Sequence, residues 1–329
     1  MTSTCTVLRE IPQKTLTYDV LNGLNVLSLF DGIAGGKVAL ERAGIKINKY
    51  YASEIDKYAI QVAMENHPDI IQLGDVKNIK SDDLPEIDLL IGGSPCQGFS
   101  VAGKRLNFND QRSQLFFEYV RLLKEVKPKY FLLENVRMKK EWQDIISNLL
   151  GVEPICINSA LLSAQQRKRL YWTNIKEIKQ PQDKNILLQD ILESGITYQD
   201  KSYCLTSSYN GAVFWNTLER KQKTMIAEPV RLGHLNKGGQ GDRIYSVKGK
   251  SVCLSANGGG RGAKTGLYKI DLPDGDYIIR KLTPVECERL QTFEDGYTEG
   301  ISDTQRYKCL GNSYTVDVIA HILKGIANG

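Results

Sequence analysis

Residues 25–45 read NVLSLFDGIAGGKVALERAGI. The first six form a short apolar run, the middle is a glycine-rich turn, and KVALERAGI (37–45) spaces its apolar residues at three and four, as a helix does. Outward from this unit the same alternation continues to residue 175. Short apolar runs predict strands at KYYASE (49–54), IIQLGD (70–75), IDLLIGG (87–93), KYFLLEN (129–135), PICINSALL (154–162) and RLYWTNI (169–175). Amphipathic stretches at KYAIQVAMENH (57–67) and LFFEYVRLLKEV (115–126) predict helices between them. A β and α alternation of this length predicts an α/β fold with a doubly wound, mostly parallel sheet.

The character changes near residue 180. Residues 198–270 are rich in Gly, Ser, Tyr, Asn and Lys, with β-like pieces at DRIYSV, SVCLSA and GLYKI, which predicts a smaller, mostly β unit. Helical spacing returns in TPVECERLQTF (283–293) and TVDVIAHILKGIA (315–327), predicting a segment that packs back on the first unit. The expected organisation is an N-terminal extension (1–23), a catalytic and cofactor-binding domain (24–180), a recognition domain (181–279) and a returning C-terminal segment (280–329).

Composition narrows the classes. The 329 residues are 41% hydrophobic and 25% charged, as in a globular protein. No apolar run approaches the roughly 20 residues that span a bilayer, and the N-terminus lacks the basic-then-apolar order of a secretory signal. A cytoplasmic protein is expected. The seven cysteines (5, 96, 156, 204, 253, 287, 309) are odd in number and never paired as CxxC, which argues against zinc and against a disulfide framework. Cys5, Cys156 and Cys309 read as small buried hydrophobes. Three scattered histidines give no metal or acid–base cluster. Net charge is only +5, but residues 231–269 carry eight basic side chains (Arg231, Lys237, Arg243, Lys248, Lys250, Arg261, Lys264, Lys269) against Asp242 alone. Such a stretch suits a surface that meets a polyanion, or equally a solvated loop region.

Ligands of an open parallel sheet bind at the carboxyl ends of its strands. The first strand ends in the turn Phe30–Gly36, which fits a nicotinamide, flavin or S-adenosylmethionine enzyme. Glu54, 22 residues past Gly32, stands where an acid takes ribose hydroxyls, and Asp75 where one accepts from an adenine amino group. Each acid also reads as a helix cap or a loop residue; together they point to an adenosine-containing cofactor. Cys96 follows a strand end in GGSPCQGFS (92–100), between small loop-forming residues. Glu134 brings a carboxylate to the same edge. A thiol beside a carboxylate, without a histidine, does not look like a cysteine hydrolase.

The motifs SLFDGIAGG, SEID, GDV, GGSPCQGFS, LLENV, QQRKR, the basic glycine-rich segment and LGNSYTVDVI occur in that order. In this the chain resembles the DNA cytosine-5 methyltransferases of bacterial and phage restriction–modification type, from about residue 25 to the end. The resemblance implies an S-adenosyl-L-methionine-dependent fold with a mostly β target-recognition domain, double-stranded DNA as substrate, and S-adenosyl-L-homocysteine as product. It implies that Phe30, Asp31, Gly32, Gly35, Glu54, Ile55, Asp75, Val76, Pro95, Asn312 and Ser313 line the cofactor site. Cys96 would attack C6 of the base, because C5 of cytosine is too weak a nucleophile until a thiolate has added to the ring. Glu134 would hold the N3/N4 edge and favour proton donation to N3, and Arg167 and Arg169 would steady the pyrimidine O2 and the phosphate of the flipped nucleotide.

The resemblance further implies that Ser100 and Lys104 close over DNA, and that Gln240, Arg243 and Arg261 read it or fill the gap left by the base. Guanine near the target is a mild expectation from arginine's commonest contact. A monomer is expected, with a restriction endonuclease acting separately, in a nucleoid-associated setting. Two departures are Ala34, where many members carry glycine, and the N-terminal extension. Three rivals remain at this level: an RNA cytosine methyltransferase on the same core, a non-catalytic DNA-binding paralogue, and a nicotinamide dehydrogenase, whose fingerprint would be a fuller G-x-G-x-x-G.

Overall fold

The computed structural model describes residues 23–94, 111–197, 199–229, 244–246, 267–272 and 275–327. Its main sheet is built from β1 (Leu24–Leu29), β2 (Ile47–Ser53), β3 (Ile71–Gln72), β4 (Leu89–Gly92), β5 (Tyr130–Val136), β6 (Ile155–Asn158) and β7 (Lys168–Thr173), in the order β3-β2-β1-β4-β5-β7-β6. The pairings from β3 across to β5 are parallel, and β7 runs antiparallel to both its neighbours. The stretch 159–167 between β6 and β7 is shorter than the dozen or so residues a parallel crossover needs, so the chain turns straight back.

Helices α1 (Gly35–Arg42), α2 (Lys57–Asn66), α3 (Gln111–Val126) and α4 (Lys140–Leu150) connect the strands. Alternation along the buried strands sends side chains to two cores. Val26, Leu89, Ile91 and Leu132 enter one, while Leu27, Leu29, Leu90 and Leu133 enter the other. A short helix α5 (Phe214–Leu218) precedes a second sheet of β8 (Met225–Pro229), β9 (Ile244–Ser246), β10 (Leu267–Leu272) and β11 (Gly275–Lys281), ordered β8-β11-β10-β9.

The chain then forms α6 (Pro284–Leu290), α7 (Asp303–Asn312) and α8 (Val316–Ala327). α8 lies beside α1, and its Val316, Val318, Ile319, Ile322 and Leu323 join the first core. Two fully buried acids, Glu286 and Glu288, are neutralised by Arg280 and Arg306 at 2.8 Å.

Differences from the sequence expectations are local. The third strand shrinks to two residues because Gly74 turns the chain at φ 72° and Asp75 caps the 3₁₀ turn that follows. The expected strand over 154–162 ends at Asn158, whose side chain caps a turn at Ser159–Leu161. Cys156 is a correction: it is exposed, because it lies on the edge strand β6 with its side chain opposite to buried Ile157. Cys309 is buried; Cys5 lies outside the described residues. No helix of the described residues is long and apolar enough to cross a membrane.

The C-terminal segment meets the 204–211 loop with no room to spare. A Cβ on Gly311 would fall 2.1 Å from the carbonyl carbon of Thr206, against main chain rather than a movable side chain. Gly311→Ala should therefore cost about 3 kcal/mol of stability, at the upper end for overpacking. Urea unfolding checks this, and an unchanged midpoint would refute the close packing of these two segments.

Candidate active site

The strand order reverses between β1 and β4, so their carboxyl ends open a crevice. The turn after β1 is held in an unusual conformation, with Phe30, Gly32 and Ala34 all at φ near 60°. Ala34 is fully buried there, and a non-glycine residue in the left-handed region costs about 1 kcal/mol. That is the physical reason glycine suits this position.

Glu54 fastens the turn. Its Oε2 accepts from Gly32 N at 2.8 Å, and its Oε1 from the amides of Ile55 and Asp56 at 2.7 and 2.9 Å. Oε2, with one bond accepted, keeps a further lone pair. Ile55 beside it is 74% exposed, an apolar side chain of the kind a flat ring covers. Asp75 accepts from Lys77 N at 3.0 Å, and Val76 is buried behind it.

Asp31 is buried beneath the turn. Its Oδ1 accepts from Ser28 Oγ at 2.6 Å and Tyr50 OH at 2.7 Å, while its Oδ2 has no partner. Burial pushes its pKa up from 3.8 to about 6, although both hydrogen bonds and Lys37 oppose the rise. Asp31 faces a cleft of about 260 Å³, open to solvent, which it lines with Phe30, Gly93, Glu134, Ser313 and Tyr314.

Glu134 lies on β5 and Arg169 on β7. Glu134 pairs with Tyr171 and Val136 with Arg169, so Arg169 is a diagonal neighbour on the same face. Arg169 Nε lies 3.0 Å from Glu134 Oε1, with both side chains 15% exposed. The neighbouring Asn135 is buried and donates to Ser94 Oγ at 3.3 Å, tying β5 to the loop that leads to Cys96.

Arg167 is buried and is not among the residues that line the cleft. It is 4% exposed, and its guanidinium donates to the carbonyls of Leu205 (2.8 Å), Ser313 (2.9 Å) and Gly311 (3.4 Å) and contacts Cys204 Sγ. Four of its five donors are thus spent within the protein, three on main chain and one on the Cys204 sulfur. Burial is the leading influence on this guanidinium and lowers its pKa, and Arg169 adds to that. Tyr314, Tyr50, Ser28 and Asn135 were not singled out from the sequence. Each signal was present as an unusual polar residue within a quoted motif, but only packing gives it a partner or leaves it without one. Pro95, Cys96, Ser100, Lys104, Gln240, Arg243 and Arg261 lie outside the described residues. Among the described residues no cluster of His, Cys, Asp and Glu is arranged for a metal ion.

The Entamoeba histolytica methyltransferase EhMeth superposes with a TM-score of 0.61 at 20% identity, over 93% of this chain and 98% of that one. A mutant of Spodoptera frugiperda DNMT2 superposes with a TM-score of 0.59 at 18% identity, over 92% and 99%. At these identities the likeness is one of fold, and the class is the S-adenosylmethionine-dependent methyltransferase fold. The antiparallel β7 also separates the sheet from the wholly parallel dinucleotide-binding order.

The family described as C-5 cytosine-specific DNA methylase matches residues 24–328. The chain is 34% identical to the type II methyltransferase M.HhaI of Haemophilus parahaemolyticus, over 97% of each. It is 29% identical to the orphan methyltransferase M.SPRI of Bacillus phage SPR, over 92% of this chain and 97% of that protein. The chain belongs to the C-5 cytosine-specific DNA methylase family and is an enzyme of that class.

The two arginines should separate cleanly. Arg167→Ala leaves buried carbonyls without donors and should cost about 3 kcal/mol of folding stability. Arg169→Ala should leave the melting temperature nearly unchanged and lower methylation about 100-fold; thermal melts with rate measurements distinguish them.

Asp31 predicts a pH signature. Between 3.8 and about 6 the folded chain binds more protons at this carboxyl than the unfolded chain does. Its contribution to stability is therefore full below 3.8 and is lost as pH rises through about 6, a loss of about 2–3 kcal/mol. Asp31→Asn should be more stable than wild type at pH 7 by roughly that amount and equal to it near pH 3.5. Unfolding measured at both pH values checks it; an advantage that persists at the lower pH counts against the assignment.

Proposed function

We propose that the chain methylates C5 of cytosine within a specific sequence of double-stranded DNA, using S-adenosyl-L-methionine and releasing S-adenosyl-L-homocysteine. One observation carries the reading. Asp31, which keeps one carboxylate oxygen unpaired, and Glu134, held by Arg169, line a single cleft at the strand ends, on the edge from which the chain runs through Ser94 to Cys96.

Residues present on the cofactor side fit an adenosine joined to an amino acid. Ile55 and Phe30 would cover the adenine, Asp75 and Val76 would meet its edge, and Glu54 would take the ribose. Gly32 and Gly35 would admit the ligand close to the backbone, with Pro95, Asn312 and Ser313 completing the wall. When bound, the cofactor supplies an electrophilic methyl group to the cleft.

Cys96 acts on the base. Its thiolate adds to C6, the C5–C6 double-bond pair moves to C5, and Glu134 delivers a proton at N3 where charge would otherwise build. Arg169 holds Glu134 in register and can reach toward the pyrimidine O2. Once C5 carries the methyl group, loss of its proton restores the double bond and expels Cys96 as thiolate.

A base inside a duplex must first be rotated out, at a cost of a few kcal/mol, which contacts from Ser100, Lys104, Gln240, Arg243 and Arg261 would offset. The names of the relatives, one a type II and one an orphan methyltransferase, support either a restriction–modification setting with a separately acting endonuclease or an orphan setting without one. We further propose the domain division at residues 180 and 280, a monomer, and a cytoplasmic, nucleoid-associated location.

Labelled S-adenosylmethionine and unmethylated genomic DNA test the reading. Label should appear as 5-methylcytosine, fall by about 10⁴-fold or more in Cys96→Ser, and map to one sequence by bisulfite sequencing. DNA carrying 5-fluorocytosine should trap a covalent complex, because fluorine cannot leave as a proton does. Failure to trap it would sink the covalent route, and label in RNA instead of DNA would overturn the substrate.

A further inference from the structure

We propose that Tyr314 and Asp31 form a two-point clamp for a zwitterionic amino-acid terminus. The Tyr314 hydroxyl donates to its carboxylate, and Asp31 Oδ2 accepts from its ammonium. The inference rests on the cofactor reading above and assigns Tyr314 a place in it.

Two buried polar atoms on residues that line this cleft have no hydrogen-bond partner: Asp31 Oδ2 and Tyr314 OH. Asp31 is 3% exposed and Tyr314 7%. A buried polar group left unpaired destabilises the fold, so two of them at one cleft mark a place where something else supplies the partners. Their polarities are opposite. Asp31 is an acceptor held in one orientation by Ser28 and Tyr50 on its other oxygen. The Tyr314 hydroxyl stays protonated, because burial and the negative charges of Glu134 and Asp31 hold its pKa well above 10. An anionic acceptor and a neutral donor together match an α-ammonium and an α-carboxylate.

The Tyr314 ring reaches this position across two glycines. A Cβ on Gly35 would fall 3.4 Å from its Cδ2, and one on Gly93 3.1 Å from its Cε1 and 3.2 Å from its hydroxyl. The ring therefore bridges the turn after β1 and the end of β4. Glu134 Oε2 lies within 3.2 Å of the same Gly93 position but makes no hydrogen bond to Tyr314, and Glu134 Oε1 is engaged by Arg169. The hydroxyl is left for the ligand. Adenosine alone would leave both atoms unpaired, so the clamp selects for the amino-acid end.

Calorimetry with three ligands tests this without turnover. S-adenosylhomocysteine carries both charged groups, S-adenosyl-3-thiopropylamine keeps only the ammonium, and 5′-deoxy-5′-methylthioadenosine has neither. Tyr314→Phe should bind S-adenosylhomocysteine about tenfold more weakly and the other two unchanged. Asp31→Asn should weaken both amine-bearing ligands about tenfold or more and spare the third. Tyr314→Phe without ligand should melt no lower than wild type, since it sheds an unpaired buried hydroxyl. Wild-type affinity for S-adenosylhomocysteine in Tyr314→Phe, or an equal loss for all three ligands, would overturn the clamp. Failure of the wild-type protein to bind any of the three would overturn the cofactor reading and the clamp with it.

Discussion

The architecture depends on a buried polar joint beneath the start of β7. Gln165 is fully buried; its amide donates to the Leu290 carbonyl and the Gln291 side chain, while its oxygen accepts from Leu205 N. Gln291 donates onward to the Leu310 carbonyl and accepts from Thr315, and Arg167 closes the joint on Leu205, Gly311 and Ser313. Three stretches far apart in sequence are thereby fixed to one sheet edge. A network this fully satisfied is rigid, since removing any member strands others away from water. Within the QQRKR motif, positions 165 and 167 build the joint, and Arg169 is left to pair with Glu134 at the cleft.

Rigidity at the joint allows the cleft itself to be unfavourable. The turn after β1 holds Phe30 and Ala34 in the left-handed region, Asp31 keeps a buried oxygen unpaired, and Tyr314 does the same with a hydroxyl. These features lower stability where a ligand is expected to restore it. The site is preorganised because Glu54, Asn135 and the joint hold its walls from outside.

Much of the fold was legible. Short apolar runs marked β1, β2, β4, β5 and β7, because a strand buried on both faces can hardly avoid an apolar sequence. α4 was overlooked although Trp142, Ile145, Ile146, Leu149 and Leu150 are spaced for a helix. α7 had little to read: DTQRYKCLGN is mostly polar, and it is held by tertiary contacts such as Arg306 to buried Glu288. Cys156 looked like any small hydrophobe until the strand order put it on an edge.

Chemistry was written in residue types, and geometry was not. The sequence by itself determined the alternating α/β order, the motifs at the strand ends, and the family, because those depend on local periodicity and on which side chains the reaction requires. Tertiary structure alone decided which of two arginines two positions apart would pair with Glu134. It also decided which oxygen of Asp31 would stay free, and that Tyr314 would lie across two glycines. These outcomes depend on what surrounds each side chain, and for Arg167 and Tyr314 the neighbours include parts of the chain more than a hundred positions away.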